Sequence, residues 1–185
     1  MADAGDGMDE QDRVDALAAS WLAESPEVVQ DEFKLIKRVA RLHVLLEEVL
    51  LERLRRYGLT KAEYDILSTL RSVGAPYRLR PSELADRILM TSGGTSNALR
   101  RLEARGLLGR DTDPADARSA PARLTEAGAE LALEALRDVV GAQTALLRPG
   151  SRPVAATAAA SEALRAVLIA LGDTAPRPRP GAGPG

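Results

Sequence analysis

Apolar residues recur at helical spacing along most of this chain. Between Asp12 and Ala23, the positions Val14, Leu17, Ala18, Trp21 and Leu22 mark a short amphipathic helix that ends before Ser25-Pro26, because a residue preceding proline is pushed out of helical conformation. A much longer helical pattern covers 29–57. Its apolar positions (Phe33, Leu35, Ile36, Val39, Leu42, Val44, Leu45, Leu46, Val49, Leu50, Leu51, Leu54) fill more than one stripe. A helix on a monomer surface shows only one, so burial on two sides is expected here. Gly58 stops this helix, and Leu59-Thr60-Lys61-Ala62-Glu63-Tyr64 opens the next. That segment supplies a capping box, Thr60 with Glu63, and a hydrophobic staple, Leu59 against Tyr64.

This third helix runs to about Ser72, where Gly74-Ala75-Pro76 breaks it. Tyr77 to Arg80 reads as extended and leads into Pro81, which suits the first turn of a helix ending near Leu89. After a turn at Met90-Thr91-Ser92, the pattern predicts a helix from Ser92 to Arg105, stopped by Gly106. Leu99 and Leu102 point inward on it, leaving Thr95, Ser96, Asn97, Arg100 and Arg101 around the other faces. Leu107–Asp111 and Ala120–Leu124 flank the turn-rich stretch Thr112–Arg118 as two strands around a loop would, with Pro121 at an edge or a bulge. Thr125 caps a helix from Glu126 to about Leu147, and an Ala-rich helix follows over roughly 154–171. The chain is thus mostly α with a small β-hairpin. Its order from 60 to 147 (helix, helix, turn, helix, strand, long loop, strand, helix) is that of a winged helix-turn-helix.

Composition narrows the chemistry. Aromatic residues are 3% of the 185, so the core is built from Leu, Ala and Val. With no Cys and one His (His43), disulfides, Cys/His zinc sites, thiol nucleophiles and His-dependent triads drop out together. Neither a carboxylate pair nor a phosphate-cradling Gly-rich loop is apparent, and no enzyme activity, cofactor or metal is expected. The acidic start lacks the basic and apolar regions of a signal peptide, and no apolar run is long enough to span a membrane, so a cytoplasmic protein without membrane association is expected. The net charge of −2 conceals a division. Residues 1–32 carry ten acids and one base, while the remainder carries 24 bases and 17 acids. An acidic leader thus precedes a basic body that could present a polyanion site on one face.

Within that body, the helix from Ser92 has the residue types that read a DNA major groove, and Ser92-Gly93-Gly94-Thr95 places free N–H groups where phosphate could approach. The same residues carry a family resemblance. Pro81-Ser-Glu-Leu-Ala, the stretch TSNALRRLEARGL from Thr95 to Leu107, the segment Asp113-Pro-Ala-Asp116-Ala-Arg118, and Leu124-Thr125-Glu-Ala-Gly128 together resemble the MarR family of bacterial transcriptional regulators over about 30–147. The resemblance implies a homodimer that binds double-stranded DNA as a repressor, with Asp116 orienting Arg118 in a minor groove. Candidate DNA contacts are Ser82, Ser92, Thr95, Ser96, Asn97, Arg100, Arg101, Asp116 and Arg118. Two positions where relatives often carry arginine hold Ala98 and Ala117.

The helix before residue 24 resembles an addition found in the urate- and small-carboxylate-responsive branch, which implies a small-molecule effector. Trp21 and Asp65 match ligand positions of that branch, whereas its remaining positions meet Ser72, with Arg71 one residue early, and Ala98. Candidate ligand contacts are Trp21, Asp65 and Arg71. The domain reading is a disordered acidic leader over 1–11, an added helix and long dimerisation helix over 12–57, a DNA-binding lobe over 58–125, C-terminal dimerisation helices over 126–172 and a disordered Pro/Gly-rich tail over 173–185. A winged-helix protein-interaction module without specific DNA binding is the alternative.

Overall fold

The computed structural model describes residues 11–88, 92–110, 120–148 and 154–174. Nearly all of the expected leader and tail and the loop carrying Asp116, Ala117 and Arg118 lie outside the described residues. The elements are α1 (Arg13–Glu24), a single 3₁₀ turn (Pro26–Val28), α2 (Asp31–Arg56), α3 (Lys61–Ser72), β1 (Arg78–Leu79), α4 (Pro81–Arg87), α5 (Ser92–Ala104), β2 (Leu108–Arg110), β3 (Ala122–Leu124), α6 (Glu126–Leu146) and α7 (Val154–Ala170). Residues 1–143 form one compact unit, and residues 144–185, with α7, a second. None of the described helices is long and apolar enough to cross a membrane.

Local signals set most boundaries. Asp12 caps α1 by accepting from the backbone N–H of Val14 and Asp15, both at 2.9 Å. Thr60 caps α3, its Oγ1 accepting from Glu63 N at 3.3 Å while Thr60 N donates to Glu63 Oε2 at 2.8 Å. Gly58 and Gly106, at φ 58 and φ 70, end α2 and α5 in the left-handed region that favours glycine. Leu59 and Tyr64 are both buried beside the α3 start, as a staple requires.

The sheet holds more than the hairpin read from sequence. It has three antiparallel strands in the order β1-β3-β2. Arg78 faces Arg123 and Leu79 faces Ala122 on one side of β3, and Leu108 faces Leu124 on the other. β3 is therefore central, and Pro121 is neither on an edge strand nor in a bulge: it sits one residue before β3 begins. A proline there withholds no donor from the ladder.

One core unites α2, α3, α5, the sheet and α6. Leu54, Ile66, Leu67, Leu70, Leu84, Leu102 and Val139 are its fully buried large side chains. α6 comes very close to the chain leaving α5. Thr125 N donates to Leu107 O at 3.1 Å, and a Cβ added to Gly128 would lie 2.0 Å from that same carbonyl oxygen. Only glycine fits at 128.

The two-sided burial expected of the long helix is not met within one chain. α2 buries Leu50 and Leu54 near its C-terminal end, while Leu35, Ile36, Val39, Leu42, Val44 and Leu51 remain exposed. His43, the single histidine, has a side chain 68% exposed in the single chain, with Nε2 3.7 Å from Glu47 Oε2.

Candidate nucleic-acid interface

α4 and α5 form the two helices of the expected helix-turn-helix. On α5, Thr95, Ala98, Leu99 and Leu102 are buried. Their spacing of three and four residues makes a single inward stripe. The opposite side exposes Ser96, Asn97, Arg100 and Arg101. Thr95 therefore does not lie on the outward face as expected. It falls in register with Leu99 and Leu102, and at 5% exposure it belongs to the lobe's interior. Ala98 is 0% exposed, its small side chain packed inside the lobe.

The outward residues differ in how they are held. Arg100 donates to Asn97 Oδ1 one turn away on the same exposed face, which orders both side chains toward solvent. Arg101 is fixed from another helix: its Nε donates to Glu63 Oε1 at 2.8 Å. Glu63 is almost entirely buried and also accepts from Thr60 N and Thr60 Oγ1 at 2.8 and 2.9 Å. Burial pushes the Glu63 carboxyl up, but the Thr60 N–H, the Arg101 guanidinium and the Thr60 hydroxyl together hold it below the ordinary glutamate value. The box that starts α3 is thereby also the anchor of α5. Arg105 adds a second tie, donating from Nη1 to Gly58 O at 2.9 Å and from Nη2 to Tyr57 O at 3.2 Å. These carbonyls end α2, and an arginine there satisfies acceptors the helix cannot.

Ser82 is exposed in the first turn of α4. Ser92 begins α5. Arg78, Arg80, Arg87 and Arg123 are also exposed on this lobe. Sequence reading passed over Arg105, whose partners lie 47 and 48 residues away.

No hydrogen bond, ion pair or ring contact joins the three residues expected to contact a ligand. Trp21 is 40% exposed on α1, where Val14 and Ala18 are the buried anchors. Asp65 takes Lys61 Nζ at 2.9 Å, one turn back on the same helix. Arg71 lies over the Tyr77 ring, 4.4 Å from its centroid. α1 itself is clasped to α2 by charge. Lys34 Nζ donates to Asp15 at 3.0 Å, and Arg38 donates to Asp12 at 2.8 Å and to Asp15 at 2.9 Å. The hydrogen bond from Arg38, with those from the Asp15 and Val14 backbone N–H groups, lowers the Asp12 carboxyl to about 2.

Comparison with known proteins places this lobe in context. Residues 57–119 match the model of the MarR family. The chain is 30% identical over 138 residues to the HTH-type transcriptional regulator PecS of Dickeya dadantii, covering 75% of this chain and 83% of that protein. Among solved structures, an E. coli MarR mutant complexed with operator DNA aligns with a TM-score of 0.61 at 21% identity, over 80% of this chain and 97% of that one. BpsR of Bordetella bronchiseptica, whose DNA binding is regulated by 6-hydroxynicotinic acid, aligns at 0.59 and 21% identity, over 80% and 99%. The two structural likenesses establish a common winged helix-turn-helix fold.

Proposed function

The chain belongs to the MarR family of DNA-binding transcriptional regulators, and from that premise we propose that it is a homodimeric repressor of a pseudo-palindromic operator, released by a small anionic or phenolic ligand. The observation that carries the DNA reading is the division of α5 into a buried stripe and an exposed row of Ser96, Asn97 and Arg100. A helix so divided docks by one side and offers hydrogen-bond donors and acceptors to base edges by the other. Ser82 and Ser92 suit backbone phosphates at helix starts. Arg118, oriented by Asp116, is assigned to the adjacent minor groove, where negative potential concentrates. Arg101 contributes mainly by holding α5.

The exposed apolar row of α2 supports the dimer. Leu35, Ile36, Val39 and Leu42 form a contiguous surface that a soluble monomer rarely leaves uncovered. Two copies joined there and through their C-terminal helices would present recognition helices to half-sites centred about 34 to 36 Å apart. The alternative of an interaction module without specific DNA binding loses one argument, since position 98 faces the lobe interior.

Effector release rests on the regulation of BpsR by 6-hydroxynicotinic acid and on the added helix bearing Trp21, with Asp65, that resembles the urate-responsive branch. Gel shifts with DNA upstream of its own gene test the repressor. Affinity is expected to fall steeply between about 50 and 200 mM salt as phosphate contacts release counterions. Arg118→Ala and Arg100→Ala are expected to weaken binding, Arg100→Ala by about 1 to 3 kcal/mol if it reads a base edge. A sedimenting mass of one chain at micromolar concentration refutes the dimer. Urate, citrate, aconitate and 6-hydroxynicotinate are the first effectors to screen, with Trp21 fluorescence as readout.

A further inference from the structure

Behind the sheet, a cavity of about 400 Å³ opens between the C-terminal end of α3, β3 and the first two turns of α6. Arg71 lines it from the α3 side and Arg123 from β3, its guanidinium reaching toward Gly109 of β2, while Glu126 and Glu130, one turn apart on α6, line it from the other side. Neither Trp21 nor Asp65 is among its walls.

Arg71 and the two glutamates of this cavity do not satisfy one another. Arg71 Nε is buried with no hydrogen-bond acceptor. Among the described residues, the side chains of Arg71, Glu126 and Glu130 take part in no hydrogen bond or ion pair. The Arg71 guanidinium is nonetheless held in position by stacking on Tyr77, whose carbonyl accepts from Leu124 N at 3.1 Å. A guanidinium fixed on one wall and two like-charged carboxylates on the opposite wall, too far apart to pair, form an electric dipole across an open space. Pro76, Leu124, Ala129 and Leu133 supply apolar surface between them. The volume lies within the range typical of small-molecule sites.

We infer that this cavity binds a small zwitterion, an α-amino acid with an apolar side chain, whose carboxylate meets Arg71 and whose ammonium lies between Glu126 and Glu130. A simple carboxylate would satisfy Arg71 but face two carboxylates across the cavity. A simple amine would leave Arg71 unpaired. Only a ligand with both charges matches both walls, and its ammonium also relieves repulsion between glutamates four residues apart on one helix face. Occupancy would join β3 to the start of α6. Arg71 is also one of the three candidate effector contacts, but the inference requires neither the operator nor Trp21 and Asp65.

Calorimetry on the full chain without DNA tests it with three molecules of one skeleton: L-leucine, 4-methylpentanoate, which lacks the amine, and isoamylamine, which lacks the carboxylate. L-leucine is expected to bind, and each single-charge analogue to bind at least about tenfold more weakly. Arg71→Gln is expected to lower leucine affinity about tenfold and Arg71→Lys much less. Replacing both Glu126 and Glu130 by Gln is expected to erase the preference for leucine over 4-methylpentanoate. Amide exchange at 123–130 should slow with leucine in the wild type. Absence of binding by leucine and by every other free α-amino acid overturns the proposal. So does equal affinity for 4-methylpentanoate or isoamylamine in the wild type, or wild-type leucine affinity in the Arg71→Gln and double-Gln proteins.

Discussion

The DNA-reading lobe and the N-terminal arm are both tied together by ion pairs, yet the two ties are built differently. In the lobe, Arg101 reaches a carboxylate that is only 4% exposed and already holds the start of α3. In the arm, Lys34 and Arg38 grip Asp12 and Asp15 in the open, with Arg38 and Asp12 each nearly half exposed. The lobe also surrounds its pair with apolar packing, Leu67, Leu70 and Leu102 being fully buried, whereas α1 buries only Val14 and Ala18. A buried carboxylate that loses its partners keeps its desolvation cost, while an exposed one returns to water. The lobe is therefore a single cooperative body, and the arm is an attachment.

The strongest test of the lobe's rigidity is Gly128→Ala. In an ordinary helix this change gains up to about 1 kcal/mol. Here the new Cβ would lie 2.0 Å from the Leu107 carbonyl oxygen, an atom of the backbone that cannot rotate away. A loss of about 3 kcal/mol in urea unfolding is expected, and a neutral or stabilising result would show that α6 can slide on the lobe. Glu63→Ala comes next. It removes the reciprocal cap of α3 and the partner of Arg101 together, an expected loss of about 2 to 3 kcal/mol. Arg101→Ala should cost comparably because it strands the buried carboxylate. Its effect on DNA affinity should leave the salt slope unchanged, while Arg100→Ala lowers affinity without destabilising the fold.

Much of this was legible in the sequence because helix ends are decided locally. The Thr60–Glu63 box, the stops at Gly58 and Gly106, Pro81 opening α4 and the Thr125 cap all act within four residues of themselves, and the described elements follow them. What escaped depends on the third dimension. Whether Thr95 faces in or out turns on which stripe of α5 meets α3, and its hydroxyl suggested the wrong one. Arg101 and Glu63 are 38 residues apart, so the capping role of Glu63 was visible and its second partner was not. β1 reads as extended from Tyr77 to Arg80, but nothing local says it will pair with β3. Gly128 looks like a weak helix residue until the carbonyl beside it is seen. Of the site, the exposed Ser96, Asn97 and Arg100 were readable from helical period, while Asp116 and Arg118 lie outside the described residues.

Acid separates the two ties by a smaller effect. The Glu63 carboxyl is held below its ordinary value of 4.5 in the folded chain. Its contribution is therefore fully present above the unfolded value and is lost as pH falls through the lower folded one. Urea midpoints are expected to decline on acidification below about pH 5, and Glu63→Gln should flatten that decline. Asp12, lowered to about 2, follows the same sign, with its loss completed only at still lower pH. Because it lies in the open, solvent screens what it contributes. If Glu63→Gln leaves the acid profile unchanged, the buried pair is not what makes the lobe acid-sensitive.

The smallest expected effect belongs to the arm, and it shows which quantity to measure. Arg38→Ala removes the hydrogen bonds to both Asp12 and Asp15, yet the global unfolding midpoint should stay within error, since exposed pairs are balanced by water and screened by salt. The change should appear locally. Amides of 13–24 are expected to exchange faster, because their opening has only the Lys34–Asp15 pair of the clasp left to break, and emission from Trp21, the sole tryptophan, should shift to that of a more hydrated indole. Raising salt in the wild type should reproduce part of both changes without touching exchange at 61–72. A fall in the global midpoint as large as that of Glu63→Ala would mean that α1 is part of the lobe's cooperative unit, and the contrast between a buried and an exposed tie would no longer account for how this chain is held together.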